Sequence, residues 1–240
     1  MKKTSLWIMA AVTAFALHGC DSMAEAAPFV SQNRGSAKES DREPPFEIVE
    51  TQEPEAESHI LIAYFTWAEN TEVEHPETVD VDATSSASVL LPGNTARLAG
   101  WIQEETGGDL FSIVTAQPYP SDYDECLDRG AKEQAEDARP ELKAAVENID
   151  QYDVIFLGFP DWWGTCPMAV FSFLESYDFT GKTVIPFCSH GTSGVGRSIR
   201  DLKEAVPHGE ILEEIGIYRQ DTEEARPEIQ KWVRELNVMK

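Results

Sequence analysis

Residues 60–65 read Ile-Leu-Ile-Ala-Tyr-Phe, six apolar positions without a polar break. A strand with one wet face alternates apolar and polar residues. A short unbroken run therefore marks a strand covered on both faces, as in parallel sheets. Similar runs recur at Leu110–Val114, Val154–Gly158, Thr183–Cys188 and Ile211–Ile217. Helical periodicity lies between and after them, over Asn94–Glu105, Pro140–Ile149, Pro167–Ser176, Arg197–Val206 and Pro227–Leu236. Three of these segments open with proline, which suits the first helical turn. Five strands alternating with helices predict an α/β fold, a doubly wound five-stranded parallel sheet with helices on both faces.

The charge balance removes whole classes of function. With 43 acidic against 19 basic residues the net charge is −24, so the chain lacks the basic face that DNA or RNA requires, and no nucleic acid is expected as a partner. Protein charge would not hold it to an anionic lipid surface either. None of Cys20, Cys126, Cys166 and Cys188 forms a C-x-x-C pair, which rules out zinc-finger and thioredoxin-like readings and leaves no metal site in view. A Cys126–Cys166 disulfide is a minor alternative to free thiols.

The first residues carry a different message. Met1-Lys2-Lys3 precedes an uncharged stretch from Leu6 to Leu17, and Leu17-His18-Gly19-Cys20 resembles a bacterial lipobox. Residues 1–19 are expected to be a signal peptide, with Cys20 lipidated as the new N-terminus; cleavage after Ala24-Glu25-Ala26 is the rival. Residues 20–58 are acidic, proline-bearing and poor in large apolar side chains, the composition of a disordered tether. A strand at Phe46–Glu50 is the lesser reading. The globular domain is then 59–240, exported and facing the periplasm or cell exterior, with lipid as its only attachment to a membrane.

In doubly wound sheets ligands bind beyond the carboxyl ends of the strands, so the loops after the first, third and fourth strands come forward. After the first strand, Thr66 and Trp67 begin a polar excursion that ends at Gly93-Asn94-Thr95. That is far longer than the ~2–6 residues usual for such loops, and it delivers free amides at a helix N-terminus, where a phosphate is favoured. After the third strand, Pro160-Asp161-Trp162-Trp163-Gly164 places adjacent tryptophans in a Gly/Pro loop, and a planar ligand would explain at least one of them. After the fourth strand, Ser189-His190-Gly191-Thr192-Ser193-Gly194 lets the backbone approach a ring edge. It is neither a nucleophile elbow nor a dinucleotide fingerprint.

Together with Gly108-Asp109-Leu110-Phe111, Gln117-Pro118-Tyr119-Pro120, Ala138-Arg139-Pro140 and Pro186-Phe187-Cys188, these stretches resemble the flavodoxin-like family, in particular its larger, often exported bacterial members, over about residues 59–238. The resemblance implies sheet order 2-1-3-4-5 and noncovalent FMN. It also implies an electron-transfer role with a redox partner protein, whose basic face would complement an acidic one. The family's phosphate loop maps onto two pieces here. Thr66 and Trp67 match its start, and Gly93, Asn94 and Thr95 its finish. The insertion 68–92 splits it, Glu69 would repel phosphate if turned inward, and Ser85 and Ser86 are candidates to return lost hydroxyls. The cradle would need no lysine or arginine. The flavin-flanking loops map onto Pro160, Asp161, Trp162, Trp163, Gly164 and onto Ser189, His190, Gly191, Gly194, with Trp162 or Trp163 stacking. His190 is a candidate donor to the ring, or a plain loop histidine. Two other functions fit the same residues: an FMN-dependent quinone or nitro reductase, and a lipoprotein binding module that kept the fold and lost the flavin.

Overall fold

The computed structural model describes residues 59–85 and 88–238. The expected signal peptide 1–19, lipidation at Cys20, the tether 20–58 and its alternative strand at Phe46–Glu50 lie outside them, as do Ser86 and the side chain of Ser85. Among the described residues no helix is long and apolar enough to cross a membrane.

Six strands form one parallel sheet: β1 (Ile60–Tyr64), β2 (Asp109–Ser112), β3 (Val154–Pro160), β4 (Thr183–His190), β5 (Glu210–Ile211) and β6 (Ile215–Tyr218). The order is β2-β1-β3-β4-β5, with β6 also pairing β4, which is the doubly wound arrangement expected. Alternate residues of the apolar runs serve opposite faces. Ile60, Ile62, Tyr64, Phe156, Ile185 and Phe187 pack beneath α2 (Asn94–Thr106) and α6 (Arg226–Leu236). Leu61, Ala63, Phe65, Ile155, Leu157 and Phe159 meet α4 (Met168–Glu175) and α5 (Ser198–Ala205) on the other face. The apolar runs of β1, β3 and β4 are covered on both faces, which is why they carry no alternating polar positions.

Three local expectations change. The last strand is two pieces. Between the pairs Val184↔Ile211 and Phe187↔Ile215 β4 advances three residues and its partner four, so one extra residue is accommodated as a bulge. The helix expected at Pro140–Ile149 does not form. The Ala116 amide donates to the Glu141 carbonyl at 2.7 Å, and the Lys143 amide to that of Val114 at 2.8 Å, with Leu142 bridging Thr115. Backbone groups used across to 114–116 are unavailable to an i→i−4 ladder, and the proline-led apolar period is overridden. The helix on this side is α3 (Tyr123–Ala135) instead. The Asp122 side chain caps it by accepting from the Glu125 amide at 3.0 Å.

The long connection after β1 holds a 3-10 turn at Trp67–Glu69, another at Pro76–Thr78 and the short helix α1 (Val81–Ser85). Asn70 secures its exit. The amide Nδ2 donates to the Thr66 and Ile113 carbonyls at 2.9 and 3.0 Å, while Oδ1 accepts from the Thr115 amide at 2.8 Å.

Candidate functional site

The loops after β1, β3 and β4 enclose a cleft of about 220 Å³ at the carboxyl edge of the sheet. Of the residues singled out from sequence, Thr66, Trp67, Asn94, Thr95, Pro160–Trp163 and Ser189–Gly191 line it. Gly93, Gly164 and Gly194 do not, and they shape the turns behind the lining, with φ of +79°, +79° and +64°.

At one wall the split loop closes on itself. A Cβ at Gly93 would run into the Thr66 hydroxyl and stand 3.0 Å from the Ala68 Cβ. Only glycine lets the start of α2 come this near to the end of β1. Thr66 and Thr95 are 2% and 1% exposed, yet neither hydroxyl has a protein partner among the described residues. Asn94 behaves otherwise. Its Oδ1 accepts from the Thr222 hydroxyl at 3.0 Å and its Nδ2 points at the Arg219 carbonyl at 3.5 Å. The side chain ties α2 to the turn after β6, and Asn94 offers the cleft its main-chain amide. Glu69 is turned away from the lining, where its carboxylate accepts from the Tyr64 hydroxyl at 3.1 Å and from the Ser112 hydroxyl. Burial and that carboxylate push the Tyr64 phenol up to about 12.

The opposite wall is aromatic. Trp162 packs edge-to-face on Phe65 and Tyr119, with centroids 5.4 and 5.2 Å apart. Trp67 is buried and its indole N–H donates to the Pro120 carbonyl at 3.0 Å. Trp163 stays 50% exposed at φ +54°, with its indole N–H on the Leu127 carbonyl at 3.1 Å. α3 closes over both tryptophans through Gly130, whose Cβ position is 3.4 Å from Trp162 and 3.7 Å from Trp163. α3 thus brings Tyr123 and Leu127 into the lining, two residues absent from the sequence reading. The D-x-x-E cap at Asp122–Glu125 was the available sign of that helix.

Between the walls, the Asp161 amide donates to the Ser189 carbonyl at 2.9 Å and joins the β3 and β4 loops. The Asp161 Oδ1 is buried without a partner. Burial pushes its carboxyl above the usual range, with His190 and Arg197 pulling back. The His190 ring nitrogen Nδ1 donates to the Gly191 carbonyl at 2.7 Å. Thr192, Ser193 and Arg219 complete the lining. The cleft therefore holds an arginine, a residue that the sequence reading did not single out. The Arg219 Nε is, like Asp161 Oδ1, buried and unpartnered. Cys126, Cys166 and Cys188 are buried free thiols, and the alternative disulfide is absent.

Sheet order defines a doubly wound α/β protein, and its cleft lies at the carboxyl ends of β1, β3 and β4, where such sheets take their ligands. The flavodoxin family model matches residues 83–236, and the chain belongs to the flavodoxin family. A candidate flavoprotein from Bacteroides eggerthii is similar at 32% identity and TM-score 0.57, over 75% of this chain and 98% of that one. Another, from Bacteroides uniformis, is similar at 26% identity and TM-score 0.57, over 74% and 99%. A flavoprotein of Lactobacillus acidophilus in complex with FMN is 15% identical with TM-score 0.49, over 69% and 96%. No curated protein matches.

Proposed function

We propose that the chain is an FMN-binding electron-transfer protein, exported and anchored to a membrane by lipid on Cys20. The observation that carries the FMN reading is the closure of Gly93 onto Thr66. It reunites the two halves of an interrupted phosphate loop. Around that point stand the first-turn amides of α2, backed by the helix dipole, and the free hydroxyls of Thr66 and Thr95. The split was the ground for a flavin-free binding module, and the closure supports the flavin reading over it.

The rest of the lining fits a flavin as well. Asp161 Oδ1 and Arg219 Nε are a buried acceptor and a buried donor without protein partners. They suit a ligand whose edge carries both N–H and carbonyl groups. Trp162 and the half-exposed Trp163 offer aromatic faces. When bound, FMN supplies reversible electron uptake, and the protein supplies placement and field. Thr66, Thr95 and the α2 amides hold the phosphate, the tryptophan loop keeps water from the ring, and the β4 loop presents backbone to its edge.

Net charge of −24 supports a basic-faced redox protein as the partner. The support for export is Met1-Lys2-Lys3, the uncharged stretch after it and Cys20. Incubated with excess FMN, the folded full chain is expected to bind about one flavin and turn yellow. A folded sample that takes up none overturns the reading. Cys20→Ser is expected to release the protein from membrane fractions or block its maturation. If wild type and mutant fractionate alike as soluble protein beginning at Ala27, the anchor is wrong.

A further inference from the structure

Arg219 follows directly on β6 and is held by its backbone. Its amide donates to the His190 carbonyl at 2.8 Å, and its own carbonyl accepts from the Thr222 hydroxyl at 2.9 Å. Its guanidinium is the anomaly. Every other arginine among the described residues has a carboxylate at 2.6 to 3.5 Å. Arg219 has neither an ion pair nor a side-chain hydrogen bond there. In a chain with 43 acidic residues, an unpaired arginine is the less expected state, since a carboxylate within reach would lower its energy. Here the unpaired charge lines the cleft, with Nε buried. A buried donor without a partner costs free energy that a ligand acceptor restores.

Its position narrows what the ligand group can be. Nη1 stands 3.4 Å from the Cβ position of Gly191, in the loop after β4. The neighbours of Gly93, at the other wall, are Thr66 and Ala68. The guanidinium thus stands beside the ring-edge loop, while the carbonyl of the same residue faces Asn94 at the start of α2. The acidic surroundings taken alone would resist placing a further negative charge in the cleft.

We infer that Arg219 is the countercharge for the negative charge that a bound flavin gains on reduction, and that it raises the redox potential against the acidic background of the chain. This rests on the FMN reading above. Two electrons from a protein donor, or from dithionite in the test, and one proton from solvent leave the reduced ring with one negative charge, where the oxidised ring has none. Arg219 therefore favours the reduced form selectively, and only such a difference in affinity moves an equilibrium.

The test uses the full chain loaded with FMN, with wild type, Arg219→Gln and Arg219→Lys compared. Midpoint potentials are read by dithionite titration against reference dyes, and affinities of oxidised FMN and riboflavin by fluorescence quenching. Arg219→Gln is expected to weaken binding of the reduced form ~10- to 100-fold relative to the oxidised form. For a two-electron couple that lowers the potential by about 30–60 mV. Oxidised FMN and riboflavin should each lose only the bond that this donor gives the ring edge, a smaller factor than the reduced form loses, and Arg219→Lys should restore most of the potential, which a purely structural role would not produce. Should Arg219→Gln lose its native circular dichroism, Arg219→Met, which keeps the apolar stem, takes its place. An unchanged potential overturns the inference. So does weaker oxidised FMN with riboflavin spared, which would make Arg219 a phosphate ligand. Wild type that binds no FMN removes this inference together with the reading beneath it. Wild type that binds FMN, with Arg219→Gln at the same potential, removes this inference alone.

Discussion

The two walls of the cleft treat their polar groups in opposite ways. On the aromatic wall three polar tips are consumed inside the protein: the Trp67 indole on Pro120, the Trp163 indole on Leu127, the Tyr119 hydroxyl on Glu133 at 2.7 Å. On the hydroxyl wall Thr66 and Thr95 line the cleft and their hydroxyls have no protein partner among the described residues. A satisfied wall is finished and contributes shape. An open one offers donors and acceptors that a ligand can take up. Substitutions on the hydroxyl wall should therefore act on ligand affinity, and those on the aromatic wall on stability.

The most disruptive change is Gly93→Ala. Its methyl would drive into the Thr66 hydroxyl, and φ of +79° is itself unfavourable for alanine. Both halves of the cradle must part, so several donors are lost together. We expect FMN affinity to fall by more than ~100-fold, the sum of two or more hydrogen bonds to a charged group, while riboflavin binding falls much less. Wild-type affinity for FMN in this variant would break the contrast between the walls. Thr95→Ala is the finer probe. It removes one hydroxyl, at ~1.5–3 kcal/mol or roughly ten- to a hundredfold in FMN affinity, and should leave riboflavin nearly unaffected. Equal losses for both flavins would make the segment structural.

How much of this could be read from the chain follows from where burial is two-sided. β1, β3 and β4 are covered on both faces, and their unbroken runs located them to within a residue or two. α3 buries only Cys126 and Gly130, so the segment around Cys126 reads as helix-like without a full apolar period, and its place over the tryptophan loop does not show. Segment 140–149 carried a helical period and a leading proline, and edge pairing with 114–116 overrode both. At the site, glycines and hydroxyls mark loops, so Thr66, Gly93 and the Ser189–Gly194 stretch stood out. Arg219 did not, because the meaning of one arginine depends on whether an acid reaches it, which is a property of the fold.

On the aromatic wall, Tyr119→Phe should separate stability from binding. It deletes the hydroxyl donated to Glu133 and keeps the ring that packs on Phe65 and Trp162. Glu133 retains its pair with Arg129 at 2.8 Å. The expected loss is ~1–2 kcal/mol by urea unfolding, with FMN affinity within about threefold of wild type. A tenfold loss of FMN would show that this wall, too, is tuned for the ligand.

The smallest effect lies between the walls, at Asp161, and it depends on pH. Burial raises its folded pKa above the unfolded value of ~3.9, His190 and Arg197 offsetting part of the rise. The folded state therefore holds this proton more tightly than the unfolded state. The resulting stability is fully present below pH ~3.9 and is lost as pH rises through the folded pKa. At neutral pH the ionised carboxylate, with Oδ1 unpartnered, weighs against folding. Asp161→Asn stays neutral throughout, so without flavin it should be more stable than wild type at pH 7, by under ~1 kcal/mol because the half-buried group is partly screened. The advantage should shrink as pH falls toward 4 and vanish below it. Urea unfolding of both proteins between pH 3.5 and 8 measures the difference. A variant less stable than wild type at pH 7 would mean that the carboxylate contributes favourably to the empty cleft, and that the contrast between free and consumed polar groups fails at the residue joining the two walls.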